Sequence, residues 1–345
     1  MNNWSVVHYL TGTIDAVGAD DFRNNNPCYQ NENLTPGKQR FAPLVKLAEE
    51  LGITAAQLSL AWLLHQDQGT LPLKTPPRHR NITVKRLILD AYQFIRAQSL
   101  ISKRFGRQFL PSREYAEIDV TYKCNLKCIN CNRSCSQAPS NLEIPVTDVE
   151  AFINQSIKNK IAWKRIRILG GEPTLHSRIF DIVDLLIGYQ KDFNPSVRLV
   201  LGTNFFGNQV HGVLEKLPDT IIIKSTLKDS RVNLFKPFNM APVDTHFNRF
   251  SDYTCGCRII EECGLGLTPS GYYMCAVAGG IDRIYCYNLG RKKMPDESDT
   301  FSDQMSAFCR LCGHFGFQWP TRISKQSKTW RMAYKRINKK EMNTG

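Results

Sequence analysis

Three cysteines at the spacing C-x3-C-x2-C constrain this chain more than any other feature. They are Cys124, Cys128 and Cys131, on a polar loop directly after the strand-like run from Tyr115 to Val120. Four thiolates would complete a tetrahedral zinc site or fully ligate an iron–sulfur cluster. Three thiolates leave one cluster iron without a protein ligand, and such an iron can bind a small molecule.

The other cysteines are also clustered. The chain has 345 residues and 12 cysteines, and only Cys28 lies outside the segments 124–135 and 255–312. The first 15 residues lack the basic start and apolar core of a signal peptide, so a secreted disulfide framework is not expected. No apolar run is long enough to span a membrane. We therefore expect a cytoplasmic protein whose cysteines bind metal or iron–sulfur clusters.

From Tyr115 the chain repeats the order strand, loop, helix. The predicted strands are 115–120, 165–169, 198–203 and 220–225. This alternation favours an α/β fold of parallel strands and crossover helices, closed fully or partly into a barrel. Sites on such folds lie at the carboxyl ends of the strands. We therefore expect the residues at those ends to meet along one edge, namely Cys124, Gly170, Asn204 and Ser225.

Helical patterns precede the strands. In residues 44–65, Gly52 is predicted to end one helix, and Thr54 with Gln57 is predicted to form a capping box for the next. Residues 82–101 are predicted to form one amphipathic helix. Its expected buried stripe is Leu87, Ile88, Ala91, Phe94 and Ile95.

After Phe238 the alternation stops, and a loop-rich segment with seven cysteines begins. The predicted division of the chain is therefore a helical segment (1–80), an α/β core (81–240), a cysteine-rich module (241–320) and a basic tail (321–345).

Basic residues outnumber acidic residues by 45 to 31, giving a formal charge of +14. The excess is concentrated in residues 74–113 and 322–340. Nucleic acid binding is one interpretation. A solvated helix face with a frayed tail is favoured, because no nucleic-acid-binding motif accompanies the charge. Nucleic acid is thus not an expected partner, whereas an anionic substrate or an acidic partner protein remains open.

The cysteine triplet and Gly170-Gly171-Glu172-Pro173 together resemble the radical S-adenosylmethionine (radical SAM) superfamily, over about residues 82–320. The resemblance implies a partial (β/α)6-type barrel and a 4Fe–4S cluster on the three cysteines, with SAM on the open iron. Structural zinc is the alternative. Other cofactor-binding residues that it implies are Gly170, Gly171, Glu172 and Pro173 at the methionine end of SAM, and Asn204 and Ser225 at the ribose. Ordinary turn roles stay open for the last two. Asn130 departs from the family, which prefers an aromatic residue there.

The later cysteines resemble the twitch extension of this superfamily, a shorter relative of the SPASM extension. Its implied auxiliary iron–sulfur cluster would be held by Cys263, Cys275, Cys309 and Cys312. A zinc knuckle is the alternative, although a thiol-only set favours iron–sulfur ligation. Cys255, Cys257 and Cys286 could substitute as ligands, bind a second metal or act as an acid. Cys135 is expected to be structural.

The resemblance implies an enzyme that reductively cleaves SAM to a 5′-deoxyadenosyl radical. That radical would abstract hydrogen from an unactivated C–H bond of an unknown small molecule, in an oxidation or rearrangement. The electron would come from a flavodoxin- or ferredoxin-type reductant. No winged-helix peptide-recognition domain is found at the N-terminus, which favours a small molecule over a peptide. A peptide-modifying maturase and a zinc-binding adaptor without catalysis remain as alternatives.

Residues 19–76 resemble a different family, the aldo-keto reductases, over the C-terminal third of their barrel. The resemblance rests on Phe22-Arg23, Glu32-Asn33-Leu34 and the run from Leu51 to Leu64. The family's catalytic Tyr, Lys, Asp and His belong to an earlier part of the barrel, for which this chain has no room. We interpret the segment as a fused remnant, so NADPH binding and reductase activity are not expected.

Overall fold

The computed structural model describes residues 42–55, 57–58, 84–128, 130–226, 234–235, 238–315, 321–322 and 325–344. The chain divides into two units, Met1–Pro76 and Pro77–Gly345. In the first unit, residues 42–50 are helical, and Gly52 follows with a φ of +66°. The predicted capping box is present, because the Gln57 N–H donates to Thr54 Oγ1 (3.1 Å) and the Thr54 N–H to Gln57 Oε1 (2.8 Å). Most of the reductase-like segment lies outside the described residues.

The described residues of the second unit form eight strands. They are β1 (Tyr115–Thr121), β2 (Arg165–Gly170), β3 (Arg198–Thr203), β4 (Ile222–Ser225), β5 (Leu234–Phe235), β6 (Leu265–Thr268), β7 (Gly271–Tyr273) and β8 (Thr321–Arg322). Six of them form one sheet in the order β4-β3-β2-β1-β6-β7, and β5 pairs with β8. All neighbours in the large sheet are parallel except β6 and β7. The predicted α/β fold with parallel strands is confirmed, and in the described part of the chain the sheet is open between β4 and β7.

Nine helices accompany the strands in the described residues of this unit. They are α1 (Val84–Arg96), α2 (Ser99–Phe105), α3 (Val146–Lys158), α4 (Ile179–Asp192), α5 (Asn208–Leu214), α6 (Ile259–Glu262), α7 (Ala276–Tyr285), α8 (Ser302–Phe308) and α9 (Lys328–Thr344). Helices α3, α4 and α5 are the crossovers between successive strands β1 to β4. The apolar core forms where they cover one face of the sheet, on fully buried residues such as Ile118, Ile166 and Leu199.

The prediction of one helix over residues 82–101 is wrong. The chain breaks between α1 and α2 because Gln98 adopts an extended backbone and pairs with Ser251. The Ser99 N–H also donates to the Phe250 carbonyl (2.8 Å), so tertiary contacts override the local periodicity. The predicted buried stripe fails as well, since Ile88 is 64% exposed and Ile95 is 52% exposed.

The segment after Phe238 contributes strands to the main sheet. Strand β6 pairs with β1 in parallel, and β7 returns beside it. No alternation of apolar and polar residues predicted these two strands, which are short and each contain a glycine. The boundary at residue 240 stays a prediction. No helix among the described residues is long and apolar enough to cross a bilayer.

Candidate functional site

The cysteine loop leaves β1 and lies directly against the end of β2. The Gly171 N–H donates to the Thr121 carbonyl (2.7 Å), and the Glu172 N–H donates to the Lys123 carbonyl (2.8 Å). The Gly-Gly-Glu-Pro segment is therefore bonded to the residues that lead into Cys124.

This approach of two backbones requires glycine. A Cβ atom added at Gly171 would lie 2.1 Å from the Lys123 carbonyl oxygen. One added at Gly170, where φ is +137°, would lie 2.3 Å from the Thr121 carbonyl oxygen. Any other side chain at either position would push the cysteine loop away.

The Glu172 side chain links the ends of β2 and β3 by hydrogen bonds. This side chain is fully buried, and its carboxylate accepts hydrogen bonds from the Thr174 hydroxyl (2.8 Å) and the Asn204 N–H (2.7 Å). Burial raises the pKa of Glu172, although the bonds from Asn204 and Thr174 act to lower it. Pro173 opens the 3-10 turn Pro173–Leu175 that follows. Both oxygens of the Glu172 carboxylate thus accept hydrogen bonds from neighbouring residues at this edge.

Asn204 connects the end of β3 to the cysteine loop. Its Nδ2 donates to Asn125 Oδ1 (2.7 Å) and lies 3.9 Å from Cys124 Sγ. Its Oδ1 accepts from the Phe206 N–H (2.8 Å). Ser225 is exposed at the end of β4, paired with Thr203. The predicted residues of β1, β2 and β3 therefore meet through hydrogen bonds, and Ser225 ends the neighbouring strand.

The three motif cysteines differ in exposure. Cys128 is exposed, whereas Cys124 and Cys131 are partly buried. Burial raises the pKa of the Cys124 thiol, the Leu126 N–H acts to lower it, and the nearby Cys131 and Cys128 raise it further. Among the described residues no three His, Cys, Asp or Glu side chains surround a single metal-ion position. A 4Fe–4S cluster makes a different demand, since each cysteine binds its own iron. Three thiols beside a glycine-lined edge fit such a cluster.

Asn130, which departs from the family pattern, is buried with a structural role. Its Nδ2 donates to Asn239 Oδ1, and its Oδ1 accepts from the Phe238 N–H (3.2 Å). The radical SAM family prefers an aromatic residue at this position. In this chain, Asn130 instead holds residues 238 and 239 beneath the cysteine loop by hydrogen bonds.

A second group of cysteines lines a small apolar cavity. The thiols come from Cys257, Cys275, Cys309 and Cys312, and the other lining residues include Ile260, Met274, Ile281, Phe308 and Phe315. Burial raises the pKa of all four thiols, that of Cys275 and that of Cys312 to about 12. Three of the four predicted auxiliary ligands are thus brought together.

The fourth predicted ligand, Cys263, is not part of this lining. Its Sγ instead accepts a hydrogen bond from Arg167 Nη2 (3.1 Å) on the other face of β2. Cys257, one of the three cysteines that the sequence offered as substitute ligands, takes the fourth place in the lining. The sequence alone could not decide between Cys257 and Cys263 as the fourth ligand, because both lie shortly before Cys275 in a loop-rich segment.

A buried ionic network covers the sheet face opposite the helices, and the sequence analysis missed it. Arg133 pairs with Asp119 (3.0 Å) and Glu117 (3.3 Å), and Glu117 also pairs with Arg167. Burial raises the pKa of Asp119, although Arg133 acts to lower it. Burial acts to lower the pKa of Arg133, but its pairing with Asp119 raises it, and the nearby Cys263 and Cys131 thiols add to that rise. The available signal was the alternation of Glu117 and Asp119 with apolar residues in a strand.

The described residues thus combine a mainly parallel sheet with a cysteine loop at the end of β1 and a glycine edge at the end of β2. No protein-family model matches the chain. Curated relatives do match it in part. A GTP 3′,8-cyclase of Aliarcobacter butzleri is 32% identical over 117 residues, 33% of this chain and 32% of that protein. A probable GTP 3′,8-cyclase of Methanocaldococcus jannaschii is 35% identical over 81 residues, 24% of this chain and 25% of that protein.

These relatives confirm the predicted resemblance to the radical SAM superfamily. The chain spans about a third or less of the length of the cyclases it matches. An aldo-keto reductase of Schizosaccharomyces pombe is 38% identical over 82 residues, 21% of this chain and 24% of that protein. That match agrees with the predicted reductase-like fragment.

Solved structures show more distant likenesses. BtrN in complex with AdoMet and 2-DOIA is 14% identical with a TM-score of 0.33, covering 59% of this chain and 87% of that one. Streptococcus suis SuiB bound to its precursor peptide SuiA is 21% identical with a TM-score of 0.24, covering 57% and 38%.

Proposed function

We propose that this chain is a radical SAM enzyme that abstracts hydrogen from a C–H bond of a small, polar molecule. One observation carries the proposal. The Gly170–Glu172 segment is hydrogen-bonded to the residues that lead into the cysteine loop, at the carboxyl edge of the parallel strands. Cys124, Cys128 and Cys131 would hold a 4Fe–4S cluster. When bound, the cluster supplies the electron that cleaves SAM to methionine and a 5′-deoxyadenosyl radical.

The residues around the loop orient the cofactor. Gly170 and Gly171 let the end of β2 pack directly on the cysteine loop, which would place the methionine end of SAM beside both segments. Glu172 holds the edges of β2 and β3 together, and Asn204 orients Cys124 through Asn125. Ser225, exposed at the next strand end, is the proposed contact for the ribose.

The ionic network supports a polar substrate. Glu117, Asp119, Arg133 and Arg167 lie on the sheet face opposite helices α3, α4 and α5, and Arg133 lies near Cys131 and Cys263. Charged groups there would recognise hydroxyl, amino or carboxylate groups on a small molecule. We assign the auxiliary cluster to Cys257, Cys275, Cys309 and Cys312, in place of the set with Cys263.

Anaerobic reconstitution tests the proposal. We expect about eight iron atoms per chain, from two 4Fe–4S clusters. The electron paramagnetic resonance signal of the reduced protein should change when SAM is added, because SAM would occupy the open iron. Stoichiometric zinc in place of iron would contradict the proposal. So would a paramagnetic resonance signal that stays the same when SAM is added.

A further inference from the structure

Helix α9 connects the two cysteine regions. The Trp330 indole N–H donates to the carbonyl of Leu311 (2.7 Å), between Cys309 and Cys312. One turn later, the Tyr334 hydroxyl is bonded to Ser134 Oγ (2.9 Å), three residues after Cys131. Trp330 is fully buried, and its ring packs on those of Phe238 and Tyr334. The inner face of α9 therefore contacts both of the segments proposed to hold clusters.

The outer face of α9 carries a stripe of positive charge. Lys328, Arg331 and Lys335 are exposed and follow the spacing i, i+3, i+7, which places them on one side of a helix. None of the three forms an ion pair with a carboxylate among the described residues. Lys328 lies near Asp244: burial acts to raise the pKa of that carboxyl, but hydrogen bonds from Ser327 and Thr329 lower it, and Lys328 adds to this effect. That carboxylate is itself bound by the Thr329 N–H (2.9 Å) and hydroxyl (2.7 Å) at the start of the helix.

We propose that this stripe is the docking surface for a small acidic electron-transfer protein of the flavodoxin or ferredoxin class. Two observations support that occupant. The charge is complementary to an acidic surface, which favours fast, salt-sensitive encounter. The helix also places a docked donor against both cysteine regions, through Tyr334 and Trp330. The inference rests on the proposed function, because only a cluster-bearing enzyme needs this donor.

The test compares two electron sources. The variant Lys328→Glu/Arg331→Glu/Lys335→Glu reverses the stripe without changing the buried face of α9. With photoreduced flavodoxin, we expect its rate of 5′-deoxyadenosine formation to fall by about tenfold at low salt, and its affinity for oxidised flavodoxin to fall similarly. With dithionite, which needs no docking, the rate should match the wild type.

The matched control is Lys158→Glu/Lys191→Glu/Lys216→Glu. These exposed lysines lie in the last turns of α3 and α4 and just after α5, at the end of each helix that leads into the next strand. The net charge therefore changes by the same amount as in the α9 variant, away from the carboxyl edge that carries the cysteine loop. This control should keep the wild-type response to flavodoxin. In the wild type itself, added potassium chloride should slow the flavodoxin-driven rate and leave the dithionite-driven rate unchanged.

Several results would overturn the inference. One is equal flavodoxin affinity in the α9 variant and the control. A second is an equal loss with dithionite, which would make the stripe a structural feature. A third is intact flavodoxin binding with lost affinity for single-stranded RNA, which would assign the surface to nucleic acid. If the wild type gives no deoxyadenosine with either reductant, the proposed function fails, while the binding measurement still decides the docking surface.

Discussion

The carboxylate of Glu172 accepts a 2.7 Å hydrogen bond from the backbone N–H of Asn204, and this bond joins the ends of β2 and β3. Asn204 in turn contacts Asn125 and Cys124. One buried carboxylate thus connects the glycine edge to the loop proposed to carry the cluster.

Replacing Glu172 with Ala should lower the free energy of unfolding by about 1–3 kcal/mol, because buried N–H groups lose their acceptor. The affinity of the reconstituted protein for SAM should fall by about tenfold, equivalent to about 1.4 kcal/mol. Urea denaturation and calorimetric titration measure the two effects. Glu172→Gln, which keeps one acceptor oxygen, should lose less of both. A destabilised Glu172→Ala variant with unchanged SAM affinity would refute the link between this bond and the cofactor site.

Gly171→Ala should disrupt the site, since its Cβ would lie 2.1 Å from a backbone oxygen of the cysteine loop. We expect SAM binding to be lost in a calorimetric titration. Gly188→Ala is the matched control, because Gly188 lies within α4 with no atom near its added Cβ. That substitution should raise the free energy of unfolding by about 0.5–1 kcal/mol. Wild-type SAM affinity in Gly171→Ala would show that the close approach is dispensable.

Cys257→Ser and Cys263→Ser separate the two auxiliary ligand sets. Cys257 lines the cavity shared with Cys275, Cys309 and Cys312, whereas Cys263 contacts Arg167. Cys257→Ser should therefore lose about four of the iron atoms after reconstitution, and Cys263→Ser should keep them. Iron and sulfide analysis gives the answer. The reverse pattern would restore Cys263 to the ligand set.

Glu143 gives a pH-dependent test of the support beneath the loop. It accepts hydrogen bonds from Lys123 Nζ (2.8 Å) and the Ser177 N–H (3.0 Å). Burial acts to raise its pKa, but the bonds from Lys123 and Ser177 outweigh that effect and lower the pKa to about 2. A lowered folded-state pKa stabilises the fold above the ordinary pKa of about 4.3, and that stabilisation disappears as the pH falls through the folded value.

Glu143→Gln should therefore cost about 1 kcal/mol at pH 7. The difference from the wild type should stay constant down to about pH 5 and shrink toward pH 2. Denaturant unfolding at pH 7, 5 and 3 measures it. If the stability difference between the wild type and Glu143→Gln grew on acidification, the proposed stabilisation by ionised Glu143 would be contradicted.

The sequence predicted the features that follow from local pattern. Strands β1 to β4 were predicted because each is an apolar run bounded by turn residues, and parallel pairing then brought Cys124, Gly170 and Asn204 to one edge. The capping box at Thr54 and Gln57 depends only on neighbours in the chain and was predicted correctly.

The features that were missed depend on contacts between distant segments. The glycine of β6 looks like a loop residue, yet a Cβ at Gly266 would lie 2.3 Å from the Ala276 nitrogen, so the strand needs glycine to pack against the start of α7. The single helix predicted over residues 82–101 breaks because Gln98 pairs with Ser251, far away in sequence. The choice between Cys257 and Cys263 likewise requires knowing which thiol faces the cavity.

The most direct test of the central claim is the release of 5′-deoxyadenosine from SAM by the reconstituted protein under dithionite. The wild type should release it, and Cys128→Ala should not, although Cys128 is exposed and its loss removes no core packing. Undiminished release by Cys128→Ala, or no release by a wild type with its full iron content, would contradict the claim that this loop holds the SAM-cleaving cluster.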